Sequence, residues 1–232
     1  PLKMPDLSDL EKQINVIFKN KDLLQNAFVH RSYLNENKSF KLPSNEKLEF
    51  LGDSVLSLAT SVYLYKKYPL LQEGDYTEIK SAVVKTSSLA EAAESLGLGD
   101  YFLLSRGEDQ GGGRVNKNIL ADCFEALIAV IFIDQGFKKA YDFILTYLFG
   151  DKLDMLVTNK EYVSSKSALQ ERFQSRYKVI PEYKVLEEEG PEHKRTFTVG
   201  VYLKDKKLSE GVGASKKEAE EQAAALALSA LK

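Results

Sequence analysis

The stretch SNEKLEFLGDSVL, Ser44–Leu56, carries three carboxylates, Glu46, Glu49 and Asp53, three and then four residues apart among mostly apolar neighbours. At roughly 100° per residue, Glu49 falls about 60° and Asp53 about 20° from Glu46, so all three leave a helix on one side. Leu48, Leu51, Val55 and Val62 gather on the opposite side, and Leu58 continues the three- and four-residue rhythm, which predicts a helix packed through those residues. By itself the pattern fits an amphipathic helix with an acidic solvent face.

A second stretch narrows the choice. NILADCFEALIAVIFID, Asn118–Asp134, has only Asp122 and Glu125 as charged residues between Ile119 and Ile133. A helix apolar on nearly all sides is a buried helix. Carboxylates on it must be paired, protonated or bound to metal, because an isolated buried charge costs several kcal/mol or more. Two arrangements satisfy that demand. Arg31, Lys47 or Arg114 neutralises Asp122 and Glu125, or the two acidic helices face one another and share a divalent ion. A carboxylate cluster suits hard, oxygen-seeking cations, among which Mg²⁺ goes with phosphate chemistry. His30, His193 and Cys123 are too few and too scattered for a zinc ligand set.

The remaining composition sets bounds. A chain of 232 residues, 44% hydrophobic, supports a sizeable core and one large or two unequal domains; two are expected here. The single cysteine, Cys123, cannot form an internal disulfide and is expected to pack as a small hydrophobe in a reducing compartment. The first thirty residues lack the apolar core of a secretory leader, and no run approaches the length of a membrane span, so a soluble cytoplasmic protein is expected. The net charge of −2 argues against a nucleic-acid surface spread over the whole molecule. It conceals an asymmetry: residues 163–232 hold 13 Lys+Arg against 11 Asp+Glu, and residues 1–162 hold 19 against 23.

Helical periodicity runs through residues 1–157, broken at Pro43, at Pro69 to Gly74, at Gly97 to Gly99 and across RGEDQGGGRVNKN, Arg106–Asn118. The last of these lacks the spacing and preceding strand of a phosphate-binding loop and predicts a mobile surface loop, with Asn118 capping the helix that follows. After a polar linker at residues 158–163 the period changes. Pro181–Leu186 and Arg195–Leu203 alternate, with Phe197, Val199, Val201 and Leu203 on one face. A helix containing Ala168, Leu169 and Phe173 precedes them, and an alanine-rich helix starts at Ser215, whose spacing to Glu218 makes a capping box. Residues 164–232 therefore read α-β-β-β-α, an antiparallel sheet with helices on one face. Lys216 and Lys217 lie in the first turn of that last helix, where the dipole is already positive; they suit a site at which a phosphate arrives, against the alternative of two solvated lysines.

NEKLEFLGD, Asn45–Asp53, followed by ADCFEAL, Ala121–Leu127, resembles the catalytic domain of the ribonuclease III family, and FVHRSY, Phe28–Tyr33, resembles that family's N-terminal box. The resemblance extends in order over essentially the whole chain. It implies an all-α ribonuclease III catalytic domain over 1–157 and an α+β double-stranded-RNA-binding domain over 164–232. It implies an endoribonuclease that hydrolyses double-stranded RNA with Mg²⁺, Mn²⁺ being a possible substitute. The cuts would be staggered, with 5′-phosphate and 3′-hydroxyl ends, in the processing of structured RNA such as ribosomal RNA precursors.

Carried over by position, Glu49 and Glu125 correspond to direct metal ligands, with Asp53 and Asp122 supporting through water; Asp53 and Glu125 count as catalytic. Glu46 and Glu73 correspond to RNA-positioning residues, although Glu73 in QEGD is otherwise an unremarkable acid in a helix-breaking loop. Gln170 and His193 resemble the minor-groove contacts of the RNA-binding domain, and Lys216 with Lys217 its phosphate contact. Phe50, about 40° from Glu46, is either a core residue of a helix buried from two directions or the aromatic knob through which the family's catalytic domains form a homodimer. Ser44 and Lys47 depart from the histidine and arginine that many members carry there, and neither is a ligand position. Two other functions remain in contention: a non-catalytic RNA-binding protein on the same fold, which could dispense with the acidic set, and a helical phosphohydrolase acting on nucleotides, which the shortage of histidine disfavours.

Overall fold

The computed structural model describes residues 5–191 and 194–231. The chain divides into two compact units, Pro1–Asn159 and Lys160–Lys232.

The first unit is helical: α1 (Ser8–Ile14), α2 (Lys21–Asn26), α3 (Arg31–Glu36), α4 (Glu46–Lys67), α5 (Glu73–Val83), α6 (Thr86–Ser95), α7 (Arg106–Gln110), α8 (Lys117–Gln135), α9 (Phe137–Ile144) and α10 (Lys152–Thr158). α8 is its axis, with Cys123, Phe124, Ala126, Leu127, Ile128 and Val130 fully buried. α4, α6 and α9 pack around it. α4 turns Leu48, Gly52, Val55, Leu56, Ala59 and Thr60 inward and ends at Tyr68, ahead of the helix-stopping Pro69. Leu58 departs from the expected packing stripe and stays 53% exposed.

Gly52 sets the distance between the two acidic helices. A Cβ built on it would overlap the Glu125 carbonyl oxygen and stand 3.0 Å from the Glu125 Cα. Only glycine permits backbone contact this close.

A short parallel bridge between Val29 and Leu103 ties the N-terminal segment to the middle of the unit. Asn45, itself buried, fastens the start of α4 to that segment: its backbone N–H donates to Val29 O at 2.9 Å and its side-chain amide to Ala27 O at 3.0 Å.

The glycine-rich segment is not the expected loop. Ser105 caps α7 by accepting the Glu108 N–H at 3.1 Å. The Arg114 guanidinium then straps the segment down, donating to both Asp109 carboxylate oxygens at 2.7 and 3.0 Å and to Gly99 O at 2.9 Å. The cap of α8 is Asn116, not Asn118, because its carboxamide oxygen accepts the N–H groups of Asn118 and Ile119. Glu73 likewise opens α5 as its first residue and does not belong to a loop; the helix is held by a reciprocal cap between Gln72 and Asp75.

The second unit runs α11 (Ser165–Tyr177), β1 (Glu182–Glu189), β2 (Thr196–Leu203), β3 (Lys206–Gly213) and α12 (Lys216–Ala230), with an antiparallel sheet in the order β1-β2-β3. β1 extends three residues past the expected Leu186, because Glu187, Glu188 and Glu189 pair with Thr198, Phe197 and Thr196 beyond an irregularity in the register. Leu169, Phe173, Val201, Ala223, Ala224 and Ala227 form the core. Gly211 and Gly213 have no side chain to hold α12 away: a Cβ on either would run into its backbone. Among the described residues no helix is long and apolar enough to cross a membrane.

Candidate metal centre

The close approach of α4 and α8 brings carboxylates from both helices together. Glu49, Asp122 and Glu125 each offer an oxygen, and these oxygens lie within 4.8 Å of one another. None of the three makes an ion pair among the described residues, so the salt-bridge arrangement is not found. Arg31 instead faces Glu46 at 3.8 Å, Arg114 is committed to Asp109, and Lys47 stands exposed on α4.

Crowding without neutralisation changes the acidity of the set. Burial, then the charges of Asp53, Glu49 and Asp122, push the Glu125 carboxyl up to about 8. Burial, then the neighbouring acids, raise Glu49, and burial raises Asp122. Three half-buried oxygens with no cation and no nitrogen or sulfur among them fit a hard divalent ion, whose charge would remove the repulsion. The site meets that test on its donor chemistry and on its electrostatics.

The other expected acids stand around this set. Asp53 is exposed on α4, and its charge is felt at both Glu49 and Glu125. Glu46, also exposed, accepts from Ser44 Oγ at 2.7 Å and lines the same cleft as Glu49 and Asp122. Glu73 is not brought to this cleft; its carboxylate accepts from Thr77 Oγ1 at 3.3 Å on α5. Phe50 is 78% exposed, so the core reading does not hold.

In the second unit Gln170 is exposed on α11, and Lys216 and Lys217 are exposed in the first turn of α12. Ser215 Oγ accepts the Glu218 N–H at 3.2 Å, and the Glu218 carboxylate reaches back to the Ala214 N–H at 2.9 Å. The cap thus fixes the helix start from which both lysines project. Lys216 Nζ also lies over the Phe197 ring, 5.6 Å from its centroid. His193 lies outside the described residues.

The cleft beside the carboxylates is also lined by His30, Asn35, Glu108 and Asn118, none of which the sequence alone assigned a role in the site. Asn45 also lines it, and Gly52 builds it without contributing a side chain. Both sit inside the NEKLEFLGD signature, which was the available signal for them.

A Ribonuclease-III-like family model matches residues 20–152, and a double-stranded RNA binding motif matches residues 165–231. The chain belongs to the ribonuclease III family. Ribonuclease 3 of Dehalococcoides mccartyi is 42% identical over 225 residues, covering 97% of this chain and 94% of the relative. Ribonuclease 3 of Bacillus licheniformis is 42% identical over 229 residues, covering 99% and 91%. The nuclease domain of ribonuclease III from Campylobacter jejuni, described for flexibility in its region involved in dimer formation, superposes with a TM-score of 0.58 at 37% identity, covering 63% of this chain and 97% of that domain. As a ribonuclease III family enzyme this chain is of the nuclease class, and the acidic set on α4 and α8 falls within its matched nuclease segment.

Proposed function

We propose that this ribonuclease III family member is a Mg²⁺-dependent endoribonuclease of the cytoplasm. It cuts both strands of double-stranded RNA with a stagger, leaves 5′-phosphate and 3′-hydroxyl ends, and acts on structured RNA such as ribosomal RNA precursors. The observation that carries the proposal is the un-neutralised trio Glu49, Asp122 and Glu125, held between two packed helices. These three would hold the ion, with Asp53 supporting from α4. Bound there, Mg²⁺ supplies Lewis-acid chemistry: it lowers the pKa of water and offsets charge on the phosphodiester; Mn²⁺ offers the same donor preference.

The remaining work falls to the chain itself. Protonation of the trio competes with ion binding, so a carboxyl as weakly acidic as Glu125 makes activity rise with pH. No covalent enzyme intermediate is called for, and the one thiol, Cys123, is fully buried. Glu46, exposed at the rim of the cleft, positions RNA at the scissile bond. Glu73, away from that cleft, helps to position the RNA from another part of the molecule.

A homodimer presents two such sites to opposite strands of a duplex. Phe50, Leu58 and Tyr65, all exposed, fall within about 80° of arc on α4 with Ser54 and Ser61 between them. This apolar stripe supports pairing through α4. Residues 158–163 act as a linker to the RNA-binding domain, where Gln170, His193, Lys216 and Lys217 read the shape of an A-form duplex through its minor groove and phosphates.

The test is one labelled RNA hairpin, incubated with wild type and Glu125→Gln, in Mg²⁺ and in chelator. Cleavage by wild type in Mg²⁺ alone, with RNA binding by both proteins, is the expected result. Binding by both and cleavage by neither in any divalent ion would establish an RNA-binding protein on a nuclease fold.

A further inference from the structure

The cleft beside the carboxylates holds one ring that the proposed function leaves unused. His30 caps α3: its Nδ1 accepts the Ser32 backbone N–H at 3.3 Å and lies 2.8 Å from Ser32 Oγ. The Ser105 N–H donates to that same Oγ at 3.0 Å, so the Ser32 hydroxyl proton turns toward the imidazole. Nδ1 is therefore an acceptor on two counts, and in the neutral ring the proton resides on Nε2. Burial lowers the basicity of His30, which keeps the ring neutral.

Nε2 makes no hydrogen bond to a described residue. Among the described residues the only buried side-chain polar atom lacking a partner is the Tyr183 hydroxyl, so Nε2 reaches solvent. His30 lines a cleft with Glu46, Glu49 and Asp122, and with Nδ1 engaged at Ser32, Nε2 is the ring nitrogen left to serve it. A lysine or arginine in that place would pair with the carboxylates and compete with a divalent ion. A neutral N–H donor does neither, and stays available to an anionic oxygen.

We propose that His30 donates, through Nε2–H, a hydrogen bond to a non-bridging phosphate oxygen of the RNA strand lying in this cleft, and so orients the phosphodiester beside the carboxylates. This rests on the nuclease reading above.

The capping role and the substrate role separate in two variants of the full chain. In His30→Asn the side-chain oxygen still caps α3 but no atom stands at Nε2; in His30→Gln an amide N–H extends into the cleft. A hydrogen bond to a charged group is worth about 10- to 100-fold in rate. The expected result for His30→Asn is a wild-type melting temperature, RNA affinity in chelator within about twofold of wild type, and a single-turnover cleavage rate in Mg²⁺ at least about tenfold lower. His30→Gln recovers part of the rate. A wild-type rate in His30→Asn overturns the proposal, because the residue is then a helix cap only.

Nitrogen resonances of the ring give a readout independent of turnover. The chain has two histidines, so labelled histidine yields two rings, and His30→Asn identifies which is which. The expected signals are an unprotonated Nδ1 and a protonated Nε2, the latter moving when hairpin RNA is added to Glu125→Gln protein in Mg²⁺. The opposite tautomer, or an Nε2 that ignores RNA, overturns the proposal even if His30→Asn folds poorly. Failure of wild type to cut the hairpin refutes the nuclease reading instead.

Discussion

Gly52 on α4 lies directly against the backbone of Glu125 on α8, with no room between them for a methyl group. The catalytic geometry proposed here therefore depends on a residue that contributes no chemistry. Gly52→Ala must push the helices apart or distort α4, at a cost of about 1–3 kcal/mol or more. We expect a lower melting temperature than wild type, together with loss of the Mg²⁺-induced rise in that temperature. Thermal melts with and without Mg²⁺ check this; an unchanged response to the ion would show that the trio does not need the close approach.

The acidity of Glu125 predicts how stability varies with pH when no metal is present. Its carboxyl titrates near 8 in the folded chain and near its ordinary 4.5 when unfolded, so between those values the folded chain holds a proton that the unfolded chain has released. Stability from this group is complete below the lower value and is lost as pH rises through the upper one. In chelator, Glu125→Gln should melt above wild type at pH 8, and the two should converge toward pH 5. A variant that melts below wild type at pH 8 would mean that the carboxylate is stabilised by a partner.

Ion binding should reverse that penalty. A ligand at one hundred times its dissociation constant stabilises a folded state by about 2.7 kcal/mol. Saturating Mg²⁺ is expected to raise the melting temperature of wild type at pH 8 and to leave that of a Glu49→Gln/Glu125→Gln variant nearly unchanged. Equal shifts in both would point to binding elsewhere.

The exposed stripe Phe50, Leu58 and Tyr65 carries the pairing prediction. Phe50→Asp places a charge on this stripe and should turn a dimer into a monomer in sedimentation velocity, without lowering the melting temperature of the monomer. A variant that stays dimeric moves the interface away from this face of α4.

At the other end of the chain, Lys216 and Lys217 project from a capped helix start. Each phosphate contact contributes about one unit to the slope of log affinity against log salt. Lys216→Ala/Lys217→Ala should therefore flatten that slope by about two units for a perfect RNA duplex, and an unchanged slope would remove both residues from the phosphate contact.

What the sequence made legible was whatever depended on periodicity. Leu48 and Val55 on the inward face of α4, the apolar character of α8 and the alternation in β2 all appeared as spacing, and so did the grouping of acids on two helices. Gly52, Leu56, Ala59 and Thr60, by contrast, complete that inward face, and Leu51 and Val62 are only half-buried. Leu58 was misjudged because a helix pattern records which residues are apolar, not which side lacks a neighbour. The glycine-rich stretch looked like a loop because its order comes from Ser105 and from the Arg114 fork across to Asp109, two contacts with no periodic signature. Asn116 and Asn118 are chemically identical as caps, and only backbone geometry chose between them. The tautomer of His30 was beyond reach for a similar reason, since it is set through Ser32, whose hydroxyl accepts from Ser105, seventy-three residues further along the chain.

Cys123 sits on α8 between Asp122 and Phe124, completely buried, and burial raises its thiol pKa well above the ordinary value. Thiol reagents need the thiolate and a path to it. In the folded molecule they have neither, so labelling proceeds only through an opening of the helix that also supplies Asp122 and Glu125. The chain thus carries a native chemical clock for that helix: the modification rate, followed with and without divalent ion, reports how often the floor of the cleft comes apart.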